Sequence, residues 1–169
     1  MCFARAYLLF NYSFFRADYD KRNWALIAEQ LNKEHTSIHV INRAQILDDA
    51  FNLAKAGQLD YDIVLGLTSY LARETEYIPW AAALSGLSYI SRMLKRSPAY
   101  GDFKRYTLGL VTGLYTRLGS VPLATDTHMD TKLRSKAISW ACSMGHKECK
   151  KDAVKAWSQW MYNPEDGNP

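Results

Sequence analysis

The chain has 169 residues, of which 48% are hydrophobic and 22% charged, so it can form a sizeable core and is not disordered as a whole. Lys and Arg number 21 against 17 Asp and Glu, which gives a formal net charge of +4. This mild excess is scattered, whereas a nucleic-acid surface needs a concentrated basic stripe. The composition therefore argues against a nucleic-acid partner.

Residues 1–15 are rich in aromatic and apolar side chains, which is typical of a β-strand. We expect an orphan strand segment there, because no partner strand follows. Asn11, followed by Tyr12 and Ser13, has the form of an N-glycosylation acceptor. No apolar run reaches the ~18–20 residues that span a bilayer, so we expect neither a signal peptide nor a transmembrane segment in this chain.

From Arg22 onward, apolar residues recur every three to four positions, which predicts a series of α-helices. The predicted helices cover residues 22–33, 42–57, 61–73, 78–95, 99–118, 126–144 and 147–162. Short connections make consecutive helices antiparallel neighbours. The predicted fold is therefore all-α, with antiparallel helix pairs stacked as an α-solenoid of the HEAT or armadillo kind.

The helix predicted over residues 42–57 has recognisable start and stop signals. Asn42 followed by Gln45 has the form of a capping box, and Gly57 supplies a residue that enters the left-handed conformation cheaply. The start of another helix is predicted near Glu74. Acidic residues there are stabilised by the positive end of the helix dipole, and Pro79 is tolerated in the first turn.

The sequence contains few residue patterns that are typical of catalytic sites. His35 and His39 could bind zinc only if both lay on one helix and a carboxylate elsewhere supplied a further ligand. No histidine is directly followed by a glutamate, so the sequence contains no His-Glu-x-x-His zinc motif. Asp48 and Asp49 resemble a carboxylate dyad, but neighbouring helical residues point about 100° apart and do not share a proton. They are more simply surface carboxylates or packing contacts. We therefore predict no catalytic or metal-binding residues in this chain.

Two cysteines flank a predicted helix break. On an uninterrupted helix the Cα atoms of Cys142 and Cys149 would be about 10 Å apart, too far for a disulfide. If the helix breaks at Gly145, the two thiols can meet. The alternatives are a Cys142–Cys149 disulfide, which indicates an extracellular or lumenal compartment, and two separate buried thiols.

The stretch from Ile38 to Ala54, IHVINRAQILDDAFNLA, closely resembles the start of the C-terminal helical domain of M1-family zinc aminopeptidases. The closest resemblance is to the insect type of aminopeptidase N. Its landmark residues here are Asn42, Arg43, Gln45, Asp48, Asp49 and Phe51. Further family-like stretches follow in the family's order, namely Glu74–Trp80, Ala82–Leu84, Arg96–Gly101, Trp140–Cys142 with Cys149, and Trp160–Pro164.

The resemblance implies an ectopeptidase at the extracellular face of the plasma membrane that removes N-terminal residues from peptides with a zinc ion. The family's His-Glu-x-x-His and Gly-x-Met-Glu-Asn motifs are absent from this sequence. Residues 1–20 then correspond to a remnant of a β-sandwich domain and linker, 21–162 to part of the helical domain, and 163–169 to a mobile tail. The implied partner is the catalytic domain of the intact enzyme.

Two functions follow from these observations. In the first, the chain is a non-catalytic fragment of an M1 aminopeptidase whose helical domain covers the catalytic cleft and shapes the substrate chamber. In the second, it is a stand-alone helical-repeat module that binds a peptide or protein. The first predicts that the last helix lacks a neighbour, so that Ala153, Trp157, Trp160 and Met161 are exposed.

Overall fold

The computed structural model of the chain describes residues 16–163, and within that range all regular structure is helical. The α-helices are α1 (Lys21–Glu34), α2 (Val40–Lys55), α3 (Tyr61–Thr68), α4 (Tyr77–Leu94), α5 (Tyr100–Leu118), α6 (His128–Met144) and α7 (Lys147–Tyr162). Short 3-10 helices follow α1 (His35–Ser37) and α3 (Ser69–Arg73). The all-α prediction is confirmed for this range. The predicted strand, Asn11 and residues 164–169 lie outside the described residues.

The helices form two compact units, and the boundary falls between Met93 and Leu94. In the first unit, α1 and α2 both pack against α3. In the second unit, α5 packs along α6, and α6 contacts α7. The stacking of helix pairs into a solenoid stays a prediction.

Helix α2 begins earlier than its sequence indicates. Its first residue is Val40, and the His39 side chain caps it by accepting a hydrogen bond from the backbone N–H two residues further on. The predicted capping box is wrong, because Asn42 already lies in the first turn and the Gln45 amide donates to an aspartate within the helix. The stop at Gly57 is confirmed by its positive φ of 75°.

Each unit has its own apolar core. In the first unit the fully buried side chains include Trp24, Leu31, Leu47, Val64, Leu67, Tyr70, Leu71, Trp80 and Leu87. In the second unit the buried apolar side chains include Phe103, Leu110, Val111, Leu114, Tyr115, Leu118, Leu133, Ala137, Ala141, Met144 and Cys149.

The Phe51 side chain of α2 packs directly onto Gly86 of α4. A Cβ atom built on Gly86 would lie 2.2 Å from Cγ of Phe51, far inside van der Waals contact. The aromatic ring of Phe51 therefore occupies the space that any other residue at position 86 would need.

The turn between α6 and α7 is closed by a disulfide. Gly145 adopts a φ of 104°, which ends α6 and reverses the chain. The Sγ atoms of Cys142 and Cys149 are 2.04 Å apart and their Cα atoms 5.3 Å apart. The break at Gly145 shortens the Cα separation from the helical value, so the bridge forms between the last turn of α6 and the first turn of α7.

The connection between α5 and α6 is held by Arg134. Its Nε donates to the carbonyl of Leu118 at the end of α5 (2.9 Å), and its Nη2 donates to Oδ1 of Asp126 (2.8 Å). Asp126 in turn accepts from the backbone N–H of Leu123 (2.6 Å). One buried guanidinium thus fixes both ends of this connection.

Replacing Gly86 by alanine should destabilise the chain by about 1–3 kcal/mol, the usual range for overpacking a core contact. Gly66 is the matched control, because it lies in α3 with nothing within 4 Å of a built Cβ. Gly66→Ala should leave stability unchanged or raise it by up to ~1 kcal/mol. Urea unfolding of the two variants measures both effects, and equal stabilities would contradict the close contact.

The stability of the second unit should fall in acid as Asp126 becomes protonated. The hydrogen bonds from Arg134 lower the pKa of the Asp126 carboxyl below its ordinary value of 3.8. Its stabilising contribution is therefore complete above pH 3.8 and is lost as the pH falls from there toward the folded-state pKa. The urea midpoints of wild type and Asp126→Asn should differ at pH 6, and the difference should shrink as the pH falls below 3.8; a constant difference would contradict this.

Candidate functional site

The histidines do not form a metal site. His35 lies in the 3-10 helix after α1, where its ring packs on Tyr70 (centroids 5.6 Å apart), while His39 caps α2. Burial, reinforced by the charge of Glu74, raises the pKa of Tyr70, so its hydroxyl stays neutral. Across residues 16–163 no group of three or more His, Cys, Asp or Glu side chains is placed to hold a metal ion. The donor set for zinc is not provided by this part of the chain.

Arg43 is a buried charged landmark residue, exposed by only 5%. Its guanidinium forms a buried ion pair with Glu74, with Nε 2.7 Å from Oε2 and Nη2 3.2 Å from Oε1. Its Nη1 donates to the backbone carbonyls of His35 (3.3 Å) and Ile38 (2.6 Å). Arg43 therefore joins α2 to the end of α1 and to the segment that precedes α4.

Glu74 also organises the start of α4. Its Oε1 accepts hydrogen bonds from the backbone N–H groups of Thr75 (2.9 Å) and Glu76 (3.0 Å). The indole N–H of Trp80 donates to the Glu74 carbonyl (3.0 Å). The sequence indicates Glu74 only as an acid near a helix start. Its pairing with Arg43 was missed, because the two residues are 31 positions apart.

Asp48 and Asp49 both contact the segment that precedes α1. They do not form a pair that shares a proton. Nη1 of Arg16 lies 2.7 Å from Oδ2 of Asp48 and 3.3 Å from Oδ1 of Asp49. The buried Asp49 also accepts from the backbone N–H of Ala17 (3.1 Å) and from the amide of Gln45 (2.8 Å). The hydrogen bond to Asp48 raises the pKa of Arg16. Each carboxylate thus has its own hydrogen-bond partners, which agrees with packing contacts and not with a catalytic dyad.

The landmark residues thus lie on one helix and have structural contacts. Phe51 packs against Gly86 and borders a cleft of about 150 Å³ between α2 and α4. Asn42 is half-buried in the first turn. Together these residues connect α2 to the segment before α1, to the end of α1 and to the start of α4.

Breaking one side of the buried pair should be far more costly than removing both charges. Arg43→Met leaves the Glu74 carboxylate buried without its cation, which should cost about 3–5 kcal/mol. In the double variant Arg43→Met/Glu74→Gln no charge is left unpaired, so part of that loss should be recovered. Urea unfolding of the two single variants and the double variant measures the coupling, and additive losses would contradict it.

Comparison with known proteins identifies the family. Residues 10–169 match the model of the ERAP1-like C-terminal domain. The chain is 44% identical over 160 residues to aminopeptidase N of Rattus norvegicus, a match that covers 92% of this chain and 16% of that protein. It is 37% identical to aminopeptidase N of Plutella xylostella (89% and 16% covered) and 37% identical to the thyrotropin-releasing hormone-degrading ectoenzyme of Mus musculus (88% and 14% covered).

These matches confirm the family resemblance that was inferred from the landmark residues. Identity to the rat protein exceeds identity to the moth protein, so the insect type is not singled out. The chain spans only about a sixth of the length of the aminopeptidase N relatives, at 16% of each. With a family model matched over residues 10–169, the chain belongs to the ERAP1-like C-terminal domain family, the helical domain of M1 aminopeptidases.

Proposed function

We propose that this chain is a segment of an M1 aminopeptidase and acts there as part of the helical domain that covers the catalytic cleft and shapes the substrate chamber. The observation that carries the proposal is the 44% identity to an aminopeptidase N over 92% of the chain. The role is one of positioning the peptide and excluding water, not of bond cleavage. Within this segment, residues 21–162 form the helical part.

In the proposed intact enzyme, the partner of this segment is the catalytic domain and the substrates are peptides that lose their N-terminal residue. The zinc ion belongs to residues outside this chain, because the sequence contains no His-Glu-x-x-His. Zinc would supply Lewis-acid activation of water in that domain. The helices described above would form the wall that faces the substrate.

We place the intact protein at the extracellular face of the plasma membrane. The name of the mouse relative describes an ectoenzyme, and the Cys142–Cys149 disulfide fits an oxidising compartment. None of the helices within residues 16–163 is sufficiently long and apolar to cross a membrane.

Helix α7 presents the surface through which this segment would join the rest of the enzyme. Cys149 is its single buried residue, whereas Val154, Trp157, Met161 and Tyr162 are exposed by 62%, 56%, 54% and 86%. The exposure predicted for Ala153, Trp157 and Met161 is confirmed, and Trp160 is half-buried. An apolar face of this kind is typical of a helix that packs against a neighbour.

A chimera tests the proposal. The segment of rat aminopeptidase N that matches this chain is replaced by residues 10–169, and release of N-terminal residues from a peptide is measured at the cell surface. The chimera should retain activity within about tenfold of the parent, because core positions tolerate substitution when volume and pattern are kept. A chimera that reaches the surface with its disulfide formed but cleaves no peptide would refute the proposal.

Two variants of the chimera test the α7 surface. Trp157→Lys introduces a charge on the exposed apolar face and should lower surface yield and activity. Gln159→Lys adds the same charge two positions away, on a different side of the helix, and should change neither. Equal effects would exclude α7 as the joining surface.

The alternative function, a stand-alone binding module, predicts that the gene has no upstream exon encoding His-Glu-x-x-His.

A further inference from the structure

The first unit contains a cleft between α2 and α4 that the proposed function does not use. Its volume of about 150 Å³ exceeds the ~10–15 Å³ that one water molecule needs. Phe51, Ala82 and Gly86 form an apolar part of its wall. The missing side chain at Gly86 brings the two helices together at this point while Phe51 fills the crossing.

Two exposed cationic side chains line this cleft, and neither has an acidic partner among the described residues. Lys55 from α2 and Arg92 from α4 both line it. In the range 16–163 no carboxylate lies within ion-pair distance of either side chain. Nζ of Lys55 lies 4.9 Å from the ring centroid of Tyr89, which holds the ammonium at the cleft.

The carboxylate that lines the cleft is already neutralised. Asp48 forms its ion pair with Arg16, and its Oδ1 accepts a hydrogen bond from the amide of Asn52 (3.2 Å). The hydroxyls of Ser85 and Tyr89 add neutral donors to the wall. Lys55 and Arg92 outnumber the single carboxylate, so the net charge around the cleft is positive.

Both cations occupy the last turn of their helices, where the helix dipole favours positive charge. That preference accounts for a Lys or Arg at each helix end. The helix dipole does not explain why Lys55 and Arg92 border the same cleft. It also does not explain why hydroxyl and amide groups lie beside them. Their convergence is a property of the α2–α4 crossing.

From this geometry we propose that the α2–α4 cleft binds a small oxyanion, a carboxylate or a phosphoryl group. The planar guanidinium of Arg92 can donate two parallel hydrogen bonds to two oxygens, and Lys55 contributes a point charge. Ser85 and Tyr89 complete the donor set. Phe51 and Ala82 accommodate the carbon atom or ester that bears the anionic group.

The test measures binding of sodium phosphate and of sodium succinate to the full 169-residue chain at fixed ionic strength, with sodium chloride as the balancing salt. Calorimetry should show saturable binding of at least one of the two in the millimolar range, with a matching rise in Tm. Saturation by phosphate alone assigns a phosphoryl ligand, and saturation by succinate alone assigns a carboxylate. If neither saturates, the proposal is overturned.

Variants locate the binding. Lys55→Gln/Arg92→Gln should weaken it at least about tenfold, because two charge-assisted contacts are lost. Ala82→Leu fills the cleft without altering charge and should weaken it similarly. Arg22→Gln/Lys33→Gln removes the same two charges from exposed positions of α1 and should leave it unchanged. Equal weakening in both double variants would overturn the proposal, even if the Ala82 variant does not fold.

Discussion

The buried ion pair between Arg43 and Glu74 is the constraint on which the first unit depends. Burying two charges is expensive, and the pair is tolerated because nearly every donor and acceptor is used. Arg43 donates to the carboxylate and to two backbone carbonyls, while Glu74 accepts from Arg43 and from two N–H groups at the start of α4. Only one placement of α2 relative to these segments satisfies all of these bonds together.

With that placement set, the remaining features of α2 follow. Phe51 lies two turns further along the same helix and meets Gly86, where α4 has no side chain. Asp48 and Asp49 bind the segment entering α1 through Arg16 and Ala17. The cleft with its two cations lies beside the Phe51–Gly86 crossing, so its shape depends on the same helix separation. Asp48 and Phe51 thus make structural contacts and also line the cleft.

In the second unit, a different buried arginine and a disulfide fix the helices relative to one another. Arg134 fixes the connection between α5 and α6 through Leu118 and Asp126, and a covalent bridge closes the turn into α7. Tyr115 of α5 donates to Asp152 of α7 (2.6 Å), and burial together with this contact raises its pKa to about 12. The start of α7 is therefore well anchored, whereas its later turns present apolar side chains to solvent.

Periodicity and local signals determined the helices, most of their ends and the stops at Gly57 and Gly145, because these depend on residues within one or two turns. The cysteine spacing around Gly145 indicated the bridge that the structure contains, and the landmark residues identified the family. The start of α2 was misplaced because histidine is an uncommon cap and Asn42 has the commoner signal. Only the tertiary structure decided that Arg43 pairs with Glu74, that Arg134 pairs with Asp126, and that Lys55 and Arg92 border one cleft. These contacts join groups from different elements, and their geometry exists only once the helices have packed.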